Sequence, residues 1–254
     1  GGATVNGSRL IQTQKDLDTI RDTFIEKQKR YQWSVLVCAG AGCISCDCVR
    51  VQSALIEALH DAGLQNEVQV KMTGCMGNCD IGPVMLVQPG GVFYCKLKPQ
   101  DMKTIVQRHL KDHEIVESLC PVDPKTGQHV AHLNDLTFYN RQKTIVLKNC
   151  GKVDFNSLEE YIAQDGFRAL EQAICRMTPN EVIEEIKQSG LRGRGGGGFP
   201  TGLKWALARV SEADDKYVIC NADEGDPGAF MDRSLLEGDP YALIEGMAIG
   251  AYAI

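Results

Sequence analysis

The sequence contains no run of 18 consecutive apolar residues, so no segment has the length a membrane-spanning helix requires. It lacks a basic arm or stripe as well. The net charge is −6, which argues against nucleic acid as a partner. The opening "GGATVNGSRLIQTQ" is polar and has no apolar core of the kind a secretory signal uses, so a cytoplasmic location is expected. No internal repeat is present, and no low-complexity tract apart from one glycine-rich run. Against these absences stand 11 cysteines in an acidic chain of 254 residues. In a reducing compartment that usage favours thiolate ligands over disulfides. The length suits one or two domains, and 43% hydrophobic residues can fill a core in each.

The fold class expected is α/β, in two units. Gln14 to Arg30 has apolar residues at helical spacing and reads as an N-terminal helix. "WSVLVC" is a short strand ending at Cys38, and Val49 to Ala62 carries an apolar stripe at Val51, Leu55 and Leu59. "EVQVKM" alternates as a strand, "VMLVQPGGVFYCKL" reads as a hairpin turning at Gly90-Gly91, and a helix beginning at Pro99 closes the unit. Strand, helix, strand, hairpin, helix is a thioredoxin-like order. The expected division is residues 1–120 for this unit with the N-terminal helix, 121–136 for a Pro- and Gly-containing linker, and 137–254 for a second α/β unit. There, "KTIVLKN" and "KYVICNAD" read as strands, "NSLEEYIAQDG" and "TPNEVIEEIKQSG" as capped helices, and a further helix starts near Thr201. The chain ends in "GMAIGAYAI", apolar and without a polar exit, so more protein is expected after Ile254.

Two cysteine pairs carry the first chemistry. Cys38 and Cys43 bracket "CAGAGC", and Cys75 and Cys79 bracket "CMGNC". Each pair follows an expected strand, so the two loops can lie together at one end of the sheet. Gly40, Gly42, Gly74 and Gly77 let the loops curl and turn backbone N–H groups toward the sulfurs, as a thiolate-held cluster of negative charge requires. A zinc site with four cysteine ligands is the other reading of these thiols. Cys46 or Cys48 in "CISCDC" could stand in for Cys43, whereas Cys95, Cys120, Cys150, Cys175 and Cys220 are scattered singly and read as ordinary buried residues.

The glycine run "GLRGRGGGGFPTGLKW" carries the second. It is no P-loop, because Leu203 follows Gly202 where a lysine is needed. Gly193, Gly195 and Gly198 spell a dinucleotide fingerprint, but a helix precedes them where a strand is required. What remains is a nucleotide-binding loop feeding a helix N-terminus at Thr201, where free N–H groups favour a phosphate. Lys204 in that first turn, with Arg192 and Arg194, adds cationic donors. Downstream, "NADEGDPGAFMDR" is acidic, yet Gly225 occupies a position where a calcium loop needs an oxygen ligand.

These stretches resemble known families. "CAGAGC" with "CMGNCDIGPVMLV" is similar to the thioredoxin-like [2Fe–2S] ferredoxins, which implies Cys38, Cys43, Cys75 and Cys79 as ligands of one [2Fe–2S] cluster. "GLRGRGGGGFPTGLKW" and "NADEGDPGAFMDR" together resemble the FMN- and NADH-binding flavoprotein family. It includes the large flavoprotein subunit of respiratory complex I and subunits of soluble NAD-linked hydrogenases and formate dehydrogenases. The likeness spans about Thr137 to Ile254. It implies that Gly193, Arg194, Gly195, Gly196, Gly197 and Gly198 let a flavin lie against backbone. Lys204, Asn221, Asp223 and Glu224 are then FMN contacts, Phe199 stacks on the adenine of NADH, and Asp226 sits near the nicotinamide as the residue at the reacting end. Asp226 stands where the complex I branch usually has glutamate and Leu207 where it tends to place a second stacking phenylalanine; Asp226 and "GAFMDR", with the fused ferredoxin module, resemble the hydrogenase branch more.

The resemblance implies an NADH dehydrogenase (diaphorase)-type oxidoreductase subunit, of a branch that includes electron-bifurcating enzymes. It would pass electrons between NAD(H), FMN and iron–sulfur clusters. The expected partners are a catalytic hydrogenase or formate dehydrogenase subunit and a small [2Fe–2S] subunit, with [4Fe–4S] clusters in sequence beyond Ile254. The alternatives are a complex I flavoprotein subunit and a non-catalytic electron carrier or scaffold.

Overall fold

The computed structural model describes residues 11–254 and, within the first ten, the backbone pairing of β1 (Thr4–Val5) with β2 (Ser8–Arg9). Helix α1 (Gln14–Gln28) begins with a capping box. The Thr13 side chain accepts from the Asp16 N–H while the Asp16 carboxylate accepts from the Thr13 N–H, so two otherwise orphaned donors are satisfied.

The sheet that positions the cysteines is built around β3 (Trp33–Cys38), whose last four residues are buried. The chain returns through α2 (Ala41–Ser45) and α3 (Cys48–Asp61) to β4 (Val68–Thr73). β4 runs parallel to β3 in a register that sets Cys38 opposite Thr73. β5 (Met85–Gln88) pairs antiparallel with the other side of β3, and β6 (Val92–Tyr94) pairs with β5, giving the order β4-β3-β5-β6. Gly90 and Gly91, in the three-residue turn 89–91 that joins β5 to β6, both have positive φ. Val51, Leu55, Ala58 and Leu59 of α3 are buried in this core. So are Met102 and Ile105 of α4 (Asp101–Ile105), a helix that continues as a π-helical turn over Val106–Lys111. The thioredoxin-like order expected from the sequence is therefore realised element by element.

Residues 121–136 are seated on the sheet. The Phe93 N–H donates to Ala131 O at 2.8 Å, and His132 Nδ1 lies 2.9 Å from Gly90 O. The chain then forms α5 (Thr137–Asn140), α6 (Leu158–Ala163), α7 (Arg168–Arg176), α8 (Pro179–Ser189), α9 (Thr201–Arg209), α10 (Met231–Gly238) and α11 (Pro240–Ala253). Ala173, Val182, Ile183 and Ala253 form a small second core, against which Trp205, Ile249 and Tyr252 pack. The buried Glu245 of α11 organises this half. Its carboxylate accepts from the Tyr161 hydroxyl at 2.5 Å and from the N–H groups of Phe167 and Leu170, at the start of α7.

Three features differ from the expectation. "KTIVLKN" is a turn and "KYVICNAD" an unpaired extended segment; among the described residues neither joins a sheet. A strand needs neighbours for its backbone groups. Here Ile145, Tyr217 and Ile219 are 72%, 77% and 83% exposed, so no layer covers these apolar side chains. The N-terminal helix, expected with the first unit, packs against α6, and the Arg168 guanidinium pairs with Asp18. Finally, α5, α7 and α10 are helices where none was expected.

The two halves are joined by buried polar bonds along β4, the edge of the sheet. Lys71 Nζ lies 2.5 Å from Glu160 Oε1, with both side chains buried. The Gly151 N–H donates to Thr73 Oγ1 at 2.8 Å, and within the second half Asn149 Nδ2 donates to Asp239 Oδ2 at 2.7 Å. A Cβ on Gly74 would stand 2.6 Å from Gly238 Cα, so the two backbones meet where only glycine fits.

Candidate functional site

Parallel pairing of β3 and β4 brings the loops that leave them to the same end of the sheet. Cys38 ends β3, Cys43 lies in α2, Cys75 follows β4, and Cys79 opens a 3-10 turn (Cys79–Ile81). The four thiols form a chain of contacts. Cys38 hydrogen-bonds Cys43 and Cys75, and Cys75 hydrogen-bonds Cys79. Backbone N–H groups converge on them: Gly77 on the Cys75 sulfur at 3.3 Å, Gly40 on Cys38, Gly42 on Cys79 and Val84 on Cys43. Gly40 and Gly42 also allow the loops to touch, since a Cβ would stand 2.8 Å from Cys75 Cβ at the first and 2.9 Å from Cys79 Cβ at the second. Gly74, expected to serve the sulfurs in the same way, instead admits Gly238 and the Cys150 sulfur.

The crowding shows in the protons. The hydrogen bond with Cys43 is the first cause that pushes Cys38 up to about 11, and the same bond holds Cys43 below the usual thiol range. Cys75 is pushed up by its bond with Cys38, and Cys79 by burial and then by Cys75. Thiols this close hold one another's protons until a cation displaces them. Among the described residues, no three or more His, Cys, Asp or Glu side chains are spaced around a single metal ion. The sulfur contacts run in sequence through Cys43, Cys38, Cys75 and Cys79, and the aimed N–H groups suit the negative charge of a thiolate-held cluster.

One more polar group faces this site. The Tyr139 hydroxyl is buried without a hydrogen-bond partner, and negative charge at Cys38, Cys75, Cys43 and Cys79 adds to burial in raising its pKa. Sequence reasoning missed it, because an aromatic residue in a short helix after a linker carries no ligand spacing.

Cys43 is the thiol that bonds Cys38. Cys48 is buried in the first core, where burial pushes it up to about 11, and Cys46 is exposed. Cys95 and Cys120 are buried as expected, but Cys175 and Cys220 are exposed. Both lie in the second half, where less of the chain is covered. Cys150 is half-buried and lies against Gly74 beside the cluster loops.

The glycine loop joins α8 to α9. Its stem is closed by the Gly193 N–H donating to Phe199 O and the Thr201 N–H to Leu191 O, both at 2.9 Å, while the Arg192 guanidinium reaches Gly198 O at 3.0 Å. Its tip is bare. Cβ atoms built on Gly195, Gly196, Gly197 or Gly198 would meet nothing within 4 Å, which leaves a cradle of naked backbone. The first turn of α9 has no side-chain cap and no acidic residue; its Thr201 N–H is taken by Leu191 O and its Lys204 N–H by Pro200 O, which leaves the N–H groups of Gly202 and Leu203 without a side-chain cap, beside the exposed Lys204 side chain. Phe199 is about half exposed, and Arg194 lies on the exposed tip. These features fit a flat ligand with one phosphate.

The acidic loop is held by its own bonds. Asn221 Oδ1 accepts from the Asp223 N–H at 3.1 Å, and the exposed Asp226 accepts at its carbonyl from Ala229. Glu224 accepts from the N–H groups of Asp232 at 2.9 Å and Arg233 at 3.1 Å, at the start of α10. Desolvation opposes its charge, but these donors outweigh it and hold the carboxyl below the usual range. Thus the structure brings the four cysteines together, and among the described residues no hydrogen bond or ion pair links the glycine loop to the acidic one.

Comparison with known proteins places families on both halves. Residues 23–110 match the thioredoxin-like [2Fe–2S] ferredoxin model, and residues 186–254 match the Nuo51 FMN-binding domain model. The NADP-reducing hydrogenase subunit HndC of Solidesulfovibrio fructosivorans is 54% identical over 118 residues, covering 46% of this chain and 24% of that protein. The NAD-reducing hydrogenase HoxS subunit alpha of Cupriavidus necator is 38% identical over 182 residues, covering 72% of this chain and 28% of that one. The wild-type thioredoxin-like [2Fe–2S] ferredoxin crystal structure from Aquifex aeolicus is 35% identical. It covers 35% of this chain and 95% of that one, with a TM-score of 0.33. The chain spans about a quarter of the length of the curated relatives it matches. The chain is thus similar to the thioredoxin-like [2Fe–2S] ferredoxin family over residues 23–110 and to the Nuo51 FMN-binding family over residues 186–254.

Proposed function

We propose that this protein is the NAD(H)-linked flavin and iron–sulfur subunit of a soluble multi-subunit oxidoreductase of the hydrogenase or formate dehydrogenase type. In the division that suits this reading, residues 1–120 form the ferredoxin unit, 121–136 the connection and 137–254 flavin-binding structure. The observation that carries it is the union of a four-cysteine site with a bare glycine cradle in a chain whose halves are bonded through the buried Lys71–Glu160 pair and the Gly151–Thr73 hydrogen bond. The 182-residue match to the NAD-reducing hydrogenase subunit is longer than residues 137–254 and so reaches into the first half.

FMN, when bound, supplies the conversion between the two-electron chemistry of a nicotinamide and the one-electron chemistry of a cluster. The chain's own residues do the rest. Gly195 to Gly198 let the ring lie on backbone, and the N-terminus of α9 with Lys204 receives the phosphate. Phe199 offers an exposed ring for the adenine, and Asn221, Asp223 and Asp226 offer polar atoms at the other end. Glu224 acts on this surface indirectly, by fixing the start of α10. Cys38, Cys43, Cys75 and Cys79 hold the cluster at the sheet end, with Gly40, Gly42, Gly77 and Val84 donating to its sulfur ligands.

The test is cofactor content with NADH-dependent dye reduction in the purified protein. The expected result is one [2Fe–2S] signal by electron paramagnetic resonance, lost on alanine substitution at each of the four cysteines and kept in Cys46→Ala, together with bound FMN. A cluster without flavin would identify an electron carrier. FAD in place of FMN would refute the single-phosphate site.

A further inference from the structure

Tyr139 lies in α5, outside the ferredoxin domain match of residues 23–110, yet it packs against the core of the first half. Its ring packs edge-on to the fully buried Phe93 of β6, with centroids 5.4 Å apart. Its neighbour Phe138 lies on the cysteine loop, with ring atoms 3.7 Å from where a Gly77 Cβ would stand. The same Gly77 donates its N–H to the Cys75 sulfur. The helix is thus fixed against the loop that carries two of the four cysteines.

Within that packing the Tyr139 hydroxyl has no hydrogen-bond partner among the described residues. A buried hydroxyl left unpaired is costly and rare, and it calls for an unseen acceptor. Phe138, whose ring meets that of Tyr139 at 5.0 Å between centroids, carries the contact to the cysteine loop. A buried phenol without a partner among the described residues, packed next to that loop, is a donor in need of an acceptor.

We propose that Tyr139 donates its O–H to a sulfur of the bound [2Fe–2S] cluster and raises the cluster's reduction potential. The inference rests on the reading of Cys38, Cys43, Cys75 and Cys79 as ligands. Its physics is simple. The reduced cluster carries one more negative charge than the oxidised one and accepts a hydrogen bond more strongly, so a donor favours reduction. Because Tyr139 sits where the chain passes to its second half, the potential depends on how that passage is seated. It makes Tyr139 a positioning residue for charge and assigns it no part in the chemistry of the nicotinamide.

The experiment is a redox titration of the whole protein followed by electron paramagnetic resonance, comparing wild type with Tyr139→Phe. The variant should keep its cluster signal at full occupancy. At the wild-type midpoint its ratio of reduced to oxidised cluster should fall about tenfold, which for one electron is a shift of about 59 mV to lower potential. An intact signal with an unmoved midpoint overturns the proposal and leaves the ligand reading standing. Absence of any [2Fe–2S] signal from the wild type overturns both. If Tyr139→Phe fails to hold a cluster, wild-type protein grown with 3-fluorotyrosine decides. Its more acidic hydroxyl is a stronger donor, so the midpoint should rise, and an unchanged or lower midpoint overturns the proposal.

Discussion

Replacing Lys71 by methionine should separate the stabilities of the two halves. Lys71 Nζ sits 2.5 Å from Glu160 Oε1, with 9% of the lysine side chain and 5% of the glutamate side chain exposed. Without the lysine, the Glu160 side chain keeps the Asp154 N–H at 3.1 Å and the Glu160 amide's own tie to Ser157, but no counter-charge. Breaking a buried pair in this way typically costs about 3–5 kcal/mol. With a urea dependence of roughly 2 kcal/mol per molar, that is a fall of about 2 M in the midpoint of whatever unfolds with Glu160. The protein offers a reporter in each half, since its two tryptophans are Trp33 in β3 and Trp205 in α9. Single Trp→Phe variants then give one fluorescence curve per half. The Trp205 transition should move to lower urea in Lys71→Met while the Trp33 transition, reporting the larger first core, moves much less. The double variant Lys71→Met, Glu160→Leu should recover most of the loss, because two apolar side chains leave no stranded charge. Coincident curves, or a cost below about 1 kcal/mol in the single variant, would refute the claim that this pair holds the halves together.

Three further outcomes follow from particular contacts. Gly195→Ala puts a methyl group into open space in the free protein, so the urea midpoint should stay unchanged while FMN affinity, measured by fluorescence quenching, falls at least tenfold; equal affinity would remove the loop from the flavin site. Gly40→Ala, whose Cβ would stand 2.8 Å from Cys75 Cβ, should cut cluster loading measured as iron and sulfide per chain. His109 is buried with Nδ1 2.9 Å from the Tyr94 hydroxyl, and burial holds its pKa down to about 4 from 6.5. The unfolded chain therefore binds the extra proton first, and stability present above pH 6.5 is lost as pH falls toward 4, by about 3 kcal/mol. Urea titrations of His109→Gln across that window should show a flatter pH dependence.

The first half was readable because each signal in it is local and agrees with its neighbours. Apolar alternation marks β4, a helical stripe marks α3, and a glycine pair marks the hairpin turn, so the sheet order followed and the four cysteines met where two parallel strands end. The second half was readable at its capped helices and at the start of α9 after the glycine loop. Thr178 and Glu181 announce α8 through a capping box, whereas α7 begins at Phe167 in a left-handed conformation, with its first N–H groups served by Glu245 from α11. No local rule reports a cap supplied from so far along the chain. "KTIVLKN" and "KYVICNAD" have the composition of strands, but composition cannot provide the neighbouring strand a ladder needs.

Glycine shows the same limit within the site itself. In sequence, "CAGAGC" and "GRGGGG" both say that side chains have been removed to make room, and neither says for what. In the structure Gly40 and Gly42 are filled by the protein's own cysteines at under 3 Å, so their room is needed whether or not a ligand is bound. Gly195 to Gly198 face open space, so nothing in the free chain uses the room they leave. Backbone freedom explains Gly196 and Gly198, which have positive φ, but it does not explain Gly195 or Gly197. A glycine with an ordinary φ and nothing near it costs chain entropy without a structural return. Its return must come from a body that is not part of the chain. That is why the glycine cradle, though less ordered by contacts than the cysteine site, is the stronger sign of a ligand.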